Sequence, residues 1–166
     1  MGRGATKAAG NVYYEARVEA AKWNEKLLSR EGAAEALGVS VDVMKSTELD
    51  LYKQMPVEVC VLMADLYNAP HLLNHYCIYE CPIGHSKPIS DKVYPIERVT
   101  VRLLKKLRME QLDDVQSRLI DIAEDGEVTE GEIEDLKDII DYLDDISETI
   151  CELKNIGEQI VKRSYA

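Results

Sequence analysis

The chain has 166 residues, 46% of them apolar, and a formal net charge of -11, a composition that supports a packed core and argues against wholesale disorder. No run approaches the roughly 18 apolar residues of a membrane span, and the opening "MGRGATKAAGN" lacks the apolar centre of a secretory signal, so a cytoplasmic chain with no membrane partner is expected. The charge is uneven: residues 1–100 carry 11 Lys and Arg against 13 Asp and Glu, whereas residues 101–166 carry 9 against 18, so a polyanion would have to meet the first part.

Phe is absent, and only five Pro and nine Gly punctuate the chain, which favours helix throughout. Residues 1–11 read as a loose arm bearing Arg3 and Lys7. In "VYYEARVEAAKWNEKLL" the apolar Val12, Ala16, Ala20, Trp23 and Leu27 recur three and four apart, predicting a helix over 12–28 with Tyr13, Tyr14 and Trp23 in the core. Ser29 is the cap of a short helix from Arg30 to Leu37, Gly38 its left-handed end, and Ser40 the cap of a third helix over about 41–49. Pro56 opens a fourth, whose inward face is expected to be Val57, Cys60, Val61 and Ala64; Asn68 and Pro70 end it, and "HLLNHYCIYE" predicts a short fifth.

From Cys81 to Pro95 the segment "CPIGHSKPISDKVYP" holds three prolines and a glycine and reads as a connector. Beyond it a long helix is expected over about 96–124, with one apolar stripe of Ile96, Val99, Leu103 and Leu107. The stripe resumes after a five-residue step as Leu112, Val115, Leu119 and Ile122. Asp125-Gly126 breaks that helix, and Thr129 with Glu132 forms a capping box for the last one. There Leu136, Ile139, Leu143, Ile146, Ile150, Leu153, Gly157 and Ile160 make a heptad seam. Two long acidic helices with apolar stripes must bury them, and a coiled-coil homodimer through residues 96–166 is the simplest way.

Residues 27–70 resemble the lambda-repressor-like, Cro/XRE-type helix-turn-helix domain. The features that carry the likeness are Ala34, the turn Gly38-Val39-Ser40, Met44, Glu48 and Pro56. The wider layout is similar to uncharacterised Firmicutes-type regulators in which such a domain precedes a "CPIG" segment and a helical hairpin with a "DG" turn. The resemblance implies an all-α fold, a helix-turn-helix domain followed by a long antiparallel helical hairpin. It implies binding to double-stranded DNA, with the third helix in the major groove. Val41, Asp42, Lys45 and Ser46 would then face bases, and Arg30 and Ser40 would touch phosphates. Against that pattern, Asp42 repels phosphates and can only accept hydrogen bonds, and Asp50 stands where a Gly often ends the third helix.

All three histidines and half the cysteines fall within "HLLNHYCIYECPIGH": His71, His75, Cys77, Cys81 and His85. Thiolate and imidazole suit a soft ion such as zinc, and Cys77 with Cys81 suits a thiol pair. The spacing matches no zinc finger and one helix does not wrap a tetrahedron, so the cluster reads first as structural. "DIAEDGEVTEGE" fits a calcium loop at several positions, but Ala123 removes a required oxygen. No phosphate loop or catalytic constellation appears, so neither enzyme activity nor a cofactor is expected.

The organisation expected is thus an arm (1–11), a helix-turn-helix domain (12–80), a connector (81–95) and a dimerising hairpin (96–166). The function expected is a dimeric, DNA-binding transcriptional regulator. The competing expectations are a protein-interaction module on a degenerate helix-turn-helix, and a metal- or thiol-sensing regulator using Cys77 and Cys81.

Overall fold

Asn11 starts the first helix by accepting a hydrogen bond from the Tyr14 amide at 2.9 Å, and α1 runs Val12–Ala20. In this computed structural model, which describes residues 7–124 and 126–165, that helix is shorter than the sequence pattern predicts. The Asn24 side chain accepts from the Lys26 amide and opens a separate 3-10 turn, Glu25–Leu28, because a short amide side chain competes for backbone donors. Leu27 still reaches the core, but Trp23 does not: it is 75% exposed, with the Arg163 guanidinium 5.5 Å from its ring. Tyr13 is buried and Tyr14 half-buried.

The helices α2, Arg30–Leu37, and α3, Val41–Glu48, are capped by Ser29 and Ser40, whose side chains accept from the amides of Gly32 and Val43. Gly38 between them has φ of 69° and returns its amide to α2, and the Val39 amide bonds the Ala34 carbonyl. A non-glycine residue in that conformation would be strained. Next come α4, Val57–Leu66, and α5, His71–Tyr79. The buried face of α4 is Cys60, Met63, Ala64 and Tyr67, whereas Val57 and Val61 are exposed; the inward face is turned toward Met63 and Tyr67 from the one expected. These four join Tyr13, Leu27, Ala33, Ala34, Leu37, Met44 and Leu72 in one core.

The expected helix over 96–124 is two helices, α6, Ile96–Lys106, and α7, Met109–Ala123. The five-residue step in the apolar stripe marks the joint. A continuous helix would turn the second half of the stripe away from the first, and the chain instead breaks at Arg108, whose backbone is extended. The turn that follows contains Asp125, which lies outside the described residues. Half of the capping box forms after it: the Thr129 amide donates to Glu132 Oε2 at 2.8 Å, but the Thr129 hydroxyl donates to the same oxygen at 2.6 Å instead of accepting from the Glu132 amide, which bonds the Thr129 carbonyl. The last helix, α8, is Glu130–Ser164.

All the described secondary structure is helical, and among the described residues no helix is long and apolar enough to cross a membrane. The chain forms two compact units. One comprises the residues up to Lys87 together with those from Glu158 onward; the other is Pro88–Gly157. The division falls within the proline-rich connector, and α8 contributes to both units. In the first, Asn68 donates to the Gln159 carbonyl at 3.0 Å and Lys162 pairs with Asp65 at 2.6 Å.

In the second unit the heptad seam of α8 is split. Ile139 and Ile146 are buried and Leu153 half-buried, but Leu143 and Ile150 remain 47% and 41% exposed. Further along, the buried face is polar: Thr149, Glu152 and Asn155. Glu152 accepts from the Ser90 hydroxyl at 3.0 Å and from Arg102 at 2.6 Å, and Lys106 donates to the Thr149 hydroxyl at 2.8 Å. The basic α6 and the connector at Ser90 therefore pack on a face of α8 that hydrophobic periodicity alone does not identify.

Candidate nucleic-acid interface

On α3 the residues spaced 41, 42, 45 and 46 share one side of the helix, opposite Met44, Thr47 and Glu48, which are buried. Val41, Asp42 and Lys45 are exposed, and Ser46 is half-buried with its carbonyl accepting from the Leu51 amide. Ser40 is exposed, but its hydroxyl oxygen is occupied at 3.2 Å by the Val43 amide. An exposed, capped first turn leaves the amides of Val41 and Asp42 directed outward, as a helix N-terminus does.

Arg30 takes part in a buried ionic group as well as facing solvent. Its Nε donates to Glu48 Oε2 at 2.6 Å. The other carboxylate oxygen of Glu48 takes the Arg17 Nε at 2.5 Å. Arg17 also reaches the carbonyls of Leu27 at 2.7 Å and Leu28 at 3.3 Å. Glu48 is 1% exposed and Arg17 5%, so the carboxylate ties α1, α2 and α3 together through two guanidiniums. Arg30 is half-buried, and its two terminal nitrogens bond no other described residue. Lys7, Ala8, Tyr14, Arg17, Arg30 and Leu49 line an open cleft of about 380 Å³.

Asp50, at the C-terminal end of α3, has φ of 51°, the left-handed conformation that a glycine adopts more easily. Asn11 holds it there, donating to the Asp50 carboxylate at 2.7 Å and to the Thr47 carbonyl at 2.9 Å. The exposed residues of α3 and of the chain just after it thus include Lys45 and Lys53, Asp42 and Asp50, and the apolar Val41 and Leu51.

Sequence reasoning singled out Glu48 and Arg30 separately and missed Arg17. The signal was present: Tyr13, Ala16, Arg17 and Ala20 follow the spacing of one buried face of α1, and an arginine in such a row needs an acid to meet it.

The histidine and cysteine cluster is dispersed. His75 stands edge-on to Tyr13 at 5.9 Å and tilted against Tyr79 at 4.5 Å. His71 Nδ1 lies 3.5 Å from the Gln159 amide nitrogen. All four cysteines are free thiols, and burial, followed by the neighbouring Cys81, raises the Cys77 thiol above its ordinary range. Among the described residues no three acids, histidines or cysteines converge as a metal site. Gly84 has a packing role in this segment. A methyl group added to it would sit 1.9 Å from the Cys77 carbonyl oxygen, so the "CPIG" turn lies directly on the last turn of α5. Cys60 is buried, and its thiol donates to the Leu72 carbonyl at 3.4 Å.

No protein-family model, curated protein or solved structure matches this chain.

Proposed function

We propose that the chain is a DNA-binding transcriptional regulator of the Cro/XRE helix-turn-helix type, acting as a homodimer, with α3 as the element that enters the major groove. The observation that carries this reading is the exposed outer face of a capped α3, with Lys45 at its centre and Arg30 beside it at the start of α2. Lys45 and Ser46 serve as readers of base edges and Val41 as an apolar contact for a thymine methyl group. Asp42 accepts from a cytosine amino group. Arg30, half-exposed beside its Glu48 partner, and the Ser40 end of α3 meet phosphates.

Fluorescence polarisation on a random-sequence duplex, repeated across a salt series, tests the reading. Binding is expected to weaken linearly on a log–log plot as salt rises, and Lys45→Ala is expected to lower that slope by about one. No binding at low salt, or a slope indifferent to Lys45, would remove DNA from the account. Arg30→Ala is a poorer probe, because it also uncovers Glu48.

A second reading is favoured by the same face. Asp42 and Asp50 beside exposed Val41 and Leu51 suit a protein partner better than a polyanion. Such a partner would bind with little salt dependence and would be lost on Leu51→Asp.

A further inference from the structure

The half of the heptad seam that α8 leaves uncovered forms a continuous row with its neighbours. Ile140, Leu143, Ser147, Ile150, Lys154 and Gly157 follow one another at steps of 3, 4, 3, 4 and 3, which is the repeat of a two-helix seam. All six belong to the Pro88–Gly157 unit. Ile140 and Leu143 are each 47% exposed and Ile150 41%; Lys154 is exposed, and a methyl group added at Gly157 would meet nothing within 4 Å. Three large aliphatic side chains in a seam-like row, with an open notch at one end, form a half-exposed surface of the Pro88–Gly157 unit.

We infer that this row is the contact between two copies of the chain, and that the two α8 helices run antiparallel across it. The inference rests on the reading of the chain as a homodimer, but not on its binding DNA. Two independent features select the orientation.

The first is packing. In an antiparallel pair, Ile140 faces Gly157 of the partner subunit, Ser147 faces the partner's Ile150, and Leu143 faces the stem of the partner's Lys154. Each layer sets a large side chain against a small or slender one, as interdigitation requires. A parallel pair would stack serine on serine, glycine on glycine and lysine on lysine, leaving voids and a like-charge contact.

The second is charge. From Glu130 to Glu148 the helix carries nine acids and one lysine, and from Thr149 to Ser164 two acids against three bases. Parallel pairing sets the two acidic halves side by side. Antiparallel pairing sets each against the half with Lys154, whose ammonium then lies among acids such as Asp144.

Sedimentation velocity on the full chain, over a range of micromolar concentrations, tests this. The wild type is expected to sediment at twice its mass of 18.8 kDa. Leu143→Glu is expected to sediment as a single copy with its helical circular dichroism retained. Leu104→Glu makes the same chemical change at an α6 position that is 64% exposed, and it is expected to leave the dimer intact. Lys154→Glu is expected to weaken association at least about tenfold, a change of roughly 1.4 kcal/mol. In a parallel dimer that change only trades a lysine pair for a glutamate pair, so Lys154→Gln separates the two orientations: it weakens an antiparallel dimer by removing the ammonium from among the acids and tightens a parallel one by removing the like-charge contact.

Gly157→Leu supplies the readout that a merely structural role would not move. A Cβ at position 157 meets nothing within 4 Å and leucine favours helix over glycine, so the helix holds, while the notch for the partner's Ile140 is filled and the dimer weakens. Should Leu143→Glu fail to fold, this variant decides. A wild type that remains single at every concentration overturns the inference, as does a dimer that survives Leu143→Glu and Gly157→Leu or tightens with Lys154→Gln. A chain that dimerises this way and ignores duplex sinks the DNA reading alone; a single copy that still binds duplex sinks only this one.

Discussion

Glu48 is the residue on which three helices depend. A carboxylate that is 1% exposed and met by Arg17 and Arg30 is held in place by its partners, since a buried charge left alone is costly. Glu48→Ala is expected to cost about 3–5 kcal/mol in urea unfolding, because it strands the buried Arg17. Loss limited to a few tenths would show that the group is solvated after all. Cys60 gives a pH dependence. Burial pushes its thiol from an ordinary value of 9.0 up to about 11, and burial raises the phenols of Tyr13 and Tyr67 as well. Between pH 9 and about 11 the unfolded chain loses the Cys60 proton while the fold keeps it. The unfolded state then binds fewer protons, so stability present below pH 9 falls as the pH rises through that window. Urea midpoints measured from pH 8 to 11 check the sign, and Cys60→Ala should flatten part of the decline.

At the scale of elements, α3 is a short helix of eight residues, so its first turn depends on its cap. Ser40→Ala is expected to cost about 1 kcal/mol and to speed hydrogen exchange most at the Val43 amide, which donates to the Ser40 oxygen. Unchanged exchange there would mean that the cap does not hold the helix start. The "CPIG" turn is fixed by contact instead. Gly84→Ala drives a methyl group into the Cys77 carbonyl and must displace either the turn or the end of α5. A helix as long as α8 serves different neighbours along its length. Its first turns meet Arg118 of α7 through Asp135 and Asp138, and its polar face meets Ser90, Arg102 and Lys106 near Thr149 and Glu152.

For the whole molecule the governing facts are the uneven charge and the uncovered row on α8. The net charge of -11 repels a polyanion at long range, so any duplex is held by a few local cations and released readily by salt. An association that binds only folded chains makes the thermal midpoint depend on concentration. The wild-type midpoint is therefore expected to rise between about 1 and 100 µM, and that of Leu143→Glu to stay constant. A wild-type midpoint flat over that range would count against a dimer coupled to folding.

Much of the helical layout was legible from local chemistry. Ser29, Gly38 and Ser40 mark the ends of α2 and α3, and Thr129 with Glu132 marks the start of α8, because caps and left-handed residues act within a few positions of themselves. The exposure expected for Val41, Asp42 and Lys45 follows from the same short-range periodicity. Tertiary structure decided which face each helix turns inward. It set Met63 and Tyr67 inward on α4 in place of Val57 and Val61, left Trp23 outside, divided the helix expected over 96–124 at Arg108, and split the seam of α8. It also joined Arg17, Arg30 and Glu48, residues distant along the chain. Periodicity reports that a face is apolar; only packing determines what covers it, and a buried ion pair exists only where two remote segments meet.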